Sequence, residues 1–476
     1  MKSRHAMMAL AAAAASAAGA VAEKPKDSTP PFAVVDPSAQ NPIPPALTAP
    51  TAAPSNECAT SDSELSALRE KAAQPQAGSS LLVKLGDTLM QESRGFADGR
   101  FVDEAERAYQ RALTLDRKNA EAMVGLAWVC HSRHEFEEGN IWAGNALVLN
   151  PHLSRAHALL GDAAVEVGVY DKAFEHYQEA LDLLPDLSSY SRASQLMWLT
   201  GDVTKACWLM EKAISAGGPH PENTAWCQTQ LAKMLFETGQ LQRADQQVLA
   251  ALQRAPTNPQ ALLMAGRIKV ANNDYDAATE LFGRVLDVAP NHEALVALGD
   301  LHALTGRPAE SEALYRRVVD LHRNGATHGH GGDTREHTHR TGNTQLARFL
   351  ADHDRHLEEA LMEAVTAYER YPNVFVADTL AWCHYKLGQY SEAHTAIQAA
   401  MRWNTPDAAM VFHAGMIAAK RGDPAAAASF LERALKLNPH FHPLKAVIAL
   451  DELKRLAVST PDNGIRSLGQ AKMVEE

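Results

Sequence analysis

The sequence is poor in cysteine, in aromatic residues and in positive charge. Five cysteines among 476 residues are too few for a scaffold held together by disulfides, and the odd number leaves at least one thiol unpaired. Lys and Arg total 45 against 57 Asp and Glu, which gives a formal net charge of −12. Because binding to phosphates requires a positive surface, this balance argues against a general nucleic-acid binder.

Long hydrophobic runs are also missing. Beyond the first 22 residues, no segment approaches the roughly 18 uncharged apolar residues that a membrane-spanning helix needs. Hydrophobic residues make up 46% of the chain and charged residues 21%, which is typical of a globular protein. The chain is rich in Ala and Leu, with few runs of β-branched residues, and this composition favours helix. The sequence therefore predicts an all-α protein without a membrane span.

The first 22 residues have the layout of a secretory signal peptide. Lys2 and Arg4 form a short basic region, an uncharged stretch rich in Ala and Met follows, and Ala20-Val21-Ala22 precedes Glu23 as a small-x-small cleavage site. The alternative is an Ala-rich start without a targeting role. We expect an exported protein, either periplasmic or secreted.

Residues 23–60 read as a proline-rich linker. The segment contains nine prolines and almost no periodic apolar pattern, so it cannot bury enough surface to offset its ordering entropy and is expected to be disordered and semi-extended. A proline-rich docking motif is the alternative. Ser61 and Glu64 then form a capping box that predicts an N-terminal helix within 61–78.

From residue 79 to 441 the sequence repeats every 34 residues. Prolines recur at this spacing, as Pro151 and Pro185 illustrate. Each unit has a turn at its middle, such as Gly168-Val169-Tyr170, and a small residue three positions later, here Ala173. Small residues let two antiparallel helices approach closely, glycine permits the turn, and proline ends the second helix. The pattern predicts a series of helical hairpins.

This pattern resembles that of the tetratricopeptide repeat family. About ten units can be delimited: 79–119, 120–153, 154–187, 188–220, 221–258, 259–291, 292–324, 341–373, 374–407 and 408–441. The resemblance implies an α-solenoid with a first block over 79–324, a second block over 341–441, a capping helix with a polar outer face over 442–457 and a tail over 458–476. Since a single hairpin cannot bury its apolar face alone, the hairpins are expected to stack, each contacting only its neighbours.

The sequence carries no recognisable enzyme motif. A phosphate-binding glycine-rich loop, a metalloprotease His-Glu-x-x-His pair, a Gly-x-Ser-x-Gly nucleophile elbow and a Cys-x-x-Cys pair are all missing. Tetratricopeptide proteins are usually scaffolds, so the resemblance points to a non-enzyme with a protein or peptide partner.

The resemblance also implies which residues line the concave groove, because the first helix of each hairpin faces it in this family. Large aromatic side chains on such a surface are good anchors for a peptide or helix. The alternative is that Trp128 and Trp382 pack between neighbouring hairpins. The predicted groove residues are Trp128, His131, Arg155, Asp162, Trp226, Lys233, Phe236, Arg267, Asp300, Phe375, Asp378, Trp382, Tyr385, Phe412 and Lys420.

One histidine-rich insertion, residues 325–340, interrupts the repeat. Seven of the 21 histidines fall within residues 322–356. His328, His330, His337 and His339 lie in a Gly-rich loop that could fold around Zn²⁺, Ni²⁺ or Cu²⁺. The alternative is a polar loop that binds metal only adventitiously. Metal handling through this loop is therefore a second functional hypothesis, alongside the interaction scaffold.

Overall fold

The structure is a computed structural model, and it describes residues 57–96, 99–218, 220–328 and 343–459. These residues form 22 helices and contain no strand. The helices are α1 (Glu57–Ala73), α2 (Ser79–Phe96), α3 (Gly99–Leu115), α4 (Ala120–Ser132), α5 (Phe136–Leu149), α6 (Ser154–Glu166), α7 (Tyr170–Leu183), α8 (Leu187–Leu199), α9 (Val203–Ala216), α10 (Pro221–Glu237), α11 (Leu241–Arg254), α12 (Pro259–Ala271), α13 (Tyr275–Val288), α14 (His292–Leu304), α15 (Pro308–His328), α16 (Thr344–Asp352), α17 (Leu357–Arg370), α18 (Val374–Lys386), α19 (Tyr390–Met401), α20 (Ala408–Lys420), α21 (Pro424–Leu437) and α22 (Lys445–Ser459).

Helices α2 to α21 pair in chain order into ten hairpins, numbered here from hairpin 1 (α2 and α3) to hairpin 10 (α20 and α21). The prediction of an all-α solenoid is confirmed. Three helices differ from the expected boundaries: α1 spans Glu57–Ala73, α15 continues to His328, and α22 spans Lys445–Ser459. Across the described ranges, none of the helices combines the length and apolarity needed to cross a membrane.

Within a hairpin, a glycine on the first helix makes room for an aromatic ring from the second. A Cβ atom at Gly161 would lie 2.3 Å from the Tyr177 ring, and one at Gly266 would lie 2.3 Å from the Phe282 ring. Only hydrogen fits at these positions, so the Leu-Gly element of the repeat reflects close packing between the paired helices.

The first helices are the more deeply buried members of the hairpins. In hairpin 9, α18 buries ten of its 13 residues, whereas α19 buries four of its 12. A helix packed on both sides and on its inner surface has little face left for solvent. The first helices therefore form the inner layer of the solenoid and the second helices form its outer layer.

Hairpins that are distant in the sequence also contact each other. The expectation that each hairpin contacts only its neighbours was therefore wrong. Val374 donates its backbone N–H to the Tyr170 hydroxyl (3.3 Å), and Thr405 donates its hydroxyl to the Leu199 carbonyl (2.6 Å). These partners lie 204 and 206 residues apart. The superhelix thus returns to the same position after about six repeats of 34 residues.

We call this contact zone the seam. It joins the turns inside hairpins 3 and 4 to the loops 371–374 and 402–405. The backbones meet closely there: a Cβ atom at Gly168, whose φ is +70°, would lie 2.6 Å from the Pro372 carbonyl oxygen. The Tyr170 and Trp403 rings pack 5.6 Å apart across it. Glycine at 168 is required both for its left-handed backbone and for this close approach.

Candidate functional site

The inner face of the solenoid has two different halves. Toward the N terminus it contains an open cleft between hairpins 2, 3 and 4. Toward the C terminus, the inner faces of hairpins 7 to 10 are covered by the segment Phe441–Lys445 and by α22. The predicted groove residues divide between these two environments.

The N-terminal cleft has a volume of about 220 Å³. Its wall combines one indole ring, two guanidinium groups, three serines and aliphatic carbons. The lining residues are Trp128, Ser154, Arg155, Ala158, Leu159, Leu184, Asp186, Ser188, Ser189 and Arg192. Trp128 and Arg155 were predicted as groove residues, and the structure brings them together in this cleft.

Carboxylates hold both guanidinium groups of the cleft in place. Arg155 lies 3.0 Å from Asp87 Oδ1 and packs over the Trp128 ring at 5.4 Å. Hydrogen bonds to Asp87 raise the pKa of Arg155, although burial opposes the shift. Arg192 Nε donates to Asp162 Oδ1 at 2.8 Å, so the predicted residue Asp162 orients Arg192.

His131 lies beside this region without a hydrogen-bond partner at either ring nitrogen. Its ring packs edge-on against Phe136, with 5.1 Å between centroids, and directly over Gly139. Burial lowers the pKa of His131 to about 4, so the ring is neutral at pH 7. His131 was predicted to line the groove, but in the structure its ring packs against α5.

Of the predicted residues of the middle hairpins, Phe236 is buried, which differs from the expectation, and the others are accessible but scattered. Trp226 is half-buried and Lys233 is exposed on α10. Arg267 on α12 pairs with Glu237 at 3.1 Å and lies 5.0 Å above the buried Phe236 ring. Two further predicted residues are exposed, namely Phe375 and Lys420.

Four predicted residues of the C-terminal half are buried, which differs from the expected open groove. Asp300, Asp378, Trp382 and Phe412 are each less than 5% exposed. The C-terminal segment contacts Asp300, Trp382 and Phe412. Asp378 is enclosed by Arg348 and His413. Trp382 stacks on Tyr385 at 4.6 Å and on His413 at 4.1 Å, so the alternative of a tryptophan packed between hairpins fits this structure.

Asp300 is the centre of a buried polar cluster. Its carboxylate accepts hydrogen bonds from the Tyr315 hydroxyl (2.6 Å) and from His353 Nε2 (2.9 Å), and His442 Nε2 lies 3.3 Å away. Burial alone would raise the pKa of Asp300, but the bonds from His353 and His442 hold that pKa well below its usual range. Asp300 is therefore an ionised carboxylate enclosed by donors.

Asp378 forms a second cluster with Arg348 and His413. The Arg348 guanidinium bonds directly to the carboxylate, and His413 Nδ1 lies 2.9 Å from Oδ1. Burial would raise the pKa of Asp378, but these partners lower it to about 2. Burial lowers the pKa of the enclosed His413 to about 4, so His413 is neutral at pH 7 and donates to Asp378.

A third carboxylate, Asp352, has a side chain that is 13% exposed and pairs with Lys445 at 2.7 Å. The repeat positions that gave the predicted groove also reach Asp352 and His353, the twelfth and thirteenth residues of unit 341–373, so the sequence contained this signal. His442 and Lys445 lie outside the repeats, and repeat position could not identify them.

The predicted metal ligands are not described. His330, His337 and His339 lie outside the described residues, and His328 is the last residue of α15, without a described side chain. Binding of Zn²⁺, Ni²⁺ or Cu²⁺ by this loop therefore stays a prediction.

One other group of ligand atoms occurs in the described ranges. Sγ of Cys130 and carboxylate oxygens of Glu135 and Glu138 lie within 4.8 Å of one another. Burial, followed by the nearby Glu138 and Glu135 charges, raises the pKa of Cys130 to about 12. The thiol of the metal-free protein is therefore protonated at pH 7.

Two curated proteins are similar to parts of the chain. BBSome complex member BBS4 of Bos taurus is 30% identical over 119 residues, which cover 25% of this chain and 22% of that protein. Protein CTR9 homolog of Arabidopsis thaliana is 23% identical over 264 residues, which cover 54% of this chain and 21% of that protein. The chain thus spans about a fifth of the length of these relatives.

Among solved structures, the human IFIT1 dimer with m7Gppp-AAAA is similar to this chain. The two share 15% identity and a TM-score of 0.46, and the match covers 72% of this chain and 76% of that chain.

The family comparison agrees with the hairpin geometry. Residues 91–139, 263–326 and 379–440 match the model of the tetratricopeptide repeat family. These segments fall in the first, middle and last parts of the solenoid, and hairpins of the same build connect them. The three matched segments are therefore similar to tetratricopeptide repeats.

Proposed function

We propose that the protein is a non-catalytic interaction scaffold that binds a protein or peptide segment in its N-terminal cleft. The observation that carries this proposal is the cleft itself, where the inner face remains open and Trp128, Arg155 and Arg192 converge. In the C-terminal half, residues 441–445 cover the inner face around Asp300, Asp352 and Phe412.

The cleft suits an extended segment with one apolar side chain. The Trp128 ring offers a flat apolar surface, and Arg155 and Arg192 offer N–H groups for backbone carbonyls or a carboxylate. Asp87 and Asp162 fix both guanidinium groups before binding, so little side-chain entropy is lost when a partner is bound.

Replacing Trp128 with alanine is expected to weaken peptide binding by at least tenfold, since removing a desolvated aromatic anchor typically costs about 2 kcal/mol. Peptides selected from a random displayed library on the wild-type protein serve as probes, and calorimetry measures their affinity. Arg155→Ala is a second variant, which removes one guanidinium group and its contact with the Trp128 ring but keeps the indole in the cleft.

Trp208→Ala is the matched control, because Trp208 lies on the outer helix α9 under Lys212. It should bind the selected peptides as the wild type does. Equal losses for Trp128→Ala and Trp208→Ala, or no loss for Trp128→Ala and Arg155→Ala, would contradict the assignment of the cleft.

We also propose export, on the basis of residues 1–22. The expected result is a mature chain that begins at Glu23, because the small-x-small site lies at Ala20-Val21-Ala22. Mass spectrometry of the protein purified from its native cell measures the N terminus. Ala22→Lys, which places a large charged residue at the cleavage site, should leave the precursor uncleaved. A native protein that retains Met1 or Lys2 would refute this proposal.

A further inference from the structure

The C-terminal segment Phe441–Lys445 occupies the inner face of hairpins 7 to 10 in the way a bound peptide would. Phe441 packs against Phe412, with 5.7 Å between ring centroids. His442 reaches Asp300 on α14, and Lys445 reaches Asp352 at the end of α16. Three anchors within five residues therefore contact three different hairpins.

The anchors match the chemistry of the surface they cover. Lys445 Nζ lies 2.7 Å from Asp352 and 5.8 Å from the centre of the Trp382 ring. An ammonium group thus meets both a carboxylate and an aromatic ring, and both favour a cation. Lys445 and Asp352 are almost fully enclosed, so the pair is desolvated as in the centre of an interface.

His442 has a defined orientation. Its Nδ1 atom accepts backbone N–H groups of Leu444 (3.2 Å) and Lys445 (3.4 Å) at the start of α22. The proton must then lie on Nε2, which faces Asp300 Oδ2 at 3.3 Å. A neutral imidazole is therefore sufficient to donate to Asp300.

The helix that follows the anchors buries few large apolar side chains. Toward the solenoid, α22 buries Ala446, Ala449 and Leu456, and Leu453 packs against the core, whereas Val447, Ile448 and Leu450 are 48–53% exposed. The outer face of α22 is therefore mixed rather than uniformly polar, since exposed charged residues accompany these apolar ones. Because alanines bury little area, the ring and charge contacts of residues 441–445 are an important part of the attachment.

Asp300 and Asp352 would be costly to leave uncovered. Within the repeats, Tyr315 and His353 donate to Asp300, and the C-terminal segment adds the neutral imidazole of His442. Asp352 receives its cation, Lys445, from the same segment. A buried carboxylate that loses its cation is strongly disfavoured. The surface therefore selects a cationic occupant, whether that occupant belongs to this chain or to another.

We propose that this face is a second recognition site, selective for a segment that combines an aromatic residue with histidine and lysine, and that residues 441–445 occupy it as an exchangeable internal ligand. A partner of this chemistry would displace the segment and expose the apolar face of α22. The inference rests on the proposed scaffold function but concerns a different site from the N-terminal cleft.

Binding of a labelled peptide with the sequence of residues 438–459 tests the exchange. The full-length variant His442→Ala/Lys445→Ala should bind this peptide at least tenfold more tightly than the wild type does, because its own segment has lost two anchors. The matched control Lys454→Ala/Arg455→Ala removes two exposed cations from α22 and should behave as the wild type. A peptide carrying the Lys445→Glu change should not bind.

A second measurement does not depend on any variant. With excess peptide, amide hydrogen exchange in α22 of the wild-type protein should become faster, whereas the Lys445→Glu peptide should have no effect. Absence of peptide binding to the double variant, or unchanged exchange in α22, would overturn the inference. Peptides selected for the N-terminal cleft are measured in parallel, so a loss of their binding would report failure of the scaffold proposal separately.

Discussion

The Asp378→Ala variant is expected to lose about 3 kcal/mol of unfolding free energy. The substitution leaves the Arg348 guanidinium without its carboxylate and removes the acceptor of the fully buried His413. Breaking a buried ion pair by removing one partner typically costs about 3–5 kcal/mol. The lower end of that range applies here because the Arg348 side chain remains 27% exposed. Urea unfolding followed by circular dichroism measures the change.

Asp354→Asn is the control for this prediction, because asparagine removes the charge and tolerates the left-handed backbone of this position, whose φ is +52°. Asp354 also pairs with a cation, Lys386 at 2.8 Å, but its side chain is 67% exposed. Exposed ion pairs contribute about 0–1 kcal/mol, so this variant should unfold almost as the wild type does. Similar losses for both variants would show that the Asp378 cluster does not stabilise the fold through its buried charge pair.

Lowering the pH from 7 to 5 is expected to destabilise the protein by several kcal/mol. Burial lowers the pKa of His131, His292 and His413 to about 4 each. Between the unfolded pKa near 6.5 and this folded value, the unfolded chain binds more protons than the native chain. Stability therefore falls as the pH decreases. For each histidine the loss at pH 5 is about 2 kcal/mol.

Other titrating groups change this expectation little at pH 5. The pKa of Asp378 is lowered to about 2, so the stability it contributes is lost only below about pH 4. Burial raises the pKa of Glu166 and Glu237; these groups oppose the histidines and moderate the loss.

The variant His131→Leu isolates one histidine. Since neither ring nitrogen of His131 has a hydrogen-bond partner, leucine removes the protonation penalty without breaking a bond. The variant should recover about 2 kcal/mol at pH 5 relative to wild type and much less at pH 8. His152→Leu, at an exposed position, should recover nothing. An identical pH dependence for wild type and His131→Leu would contradict the explanation.

The repeat architecture could be predicted from the sequence because it depends on local packing. Glycines such as Gly161 fit an aromatic ring of the paired helix, and the 34-residue spacing records where each hairpin ends. The ten predicted units correspond to ten hairpins for this reason. Each unit contains enough information to specify its own hairpin.

The contents of the inner face could be predicted only in part. Trp128 and Arg155 share a cleft as expected, because two successive hairpins determine their positions. Asp300 and Trp382 are buried by a segment whose placement depends on the whole superhelix. His442 and Lys445 belong to no repeat, so position within a repeat gave no information about them.

The seam forms only if the superhelix has a suitable pitch, and that pitch is the sum of small rotations between successive hairpins. No single unit encodes it, although Gly168 and Tyr170 are conspicuous in the sequence as a turn and an aromatic residue. Their second role, contact with Pro372 and Val374, becomes visible only in three dimensions.

The seam has a consequence for how the chain is made. Tyr170 and its partner Val374 are 204 residues apart, so at 5–20 residues per second roughly 10–40 s of synthesis separate their appearance from the ribosome. Hairpins 3 and 4 can fold from local contacts during this interval, but their turns remain uncovered until hairpins 9 and 10 exist. The last repeats to be translated therefore complete the surface of hairpins 3 and 4, which are made much earlier.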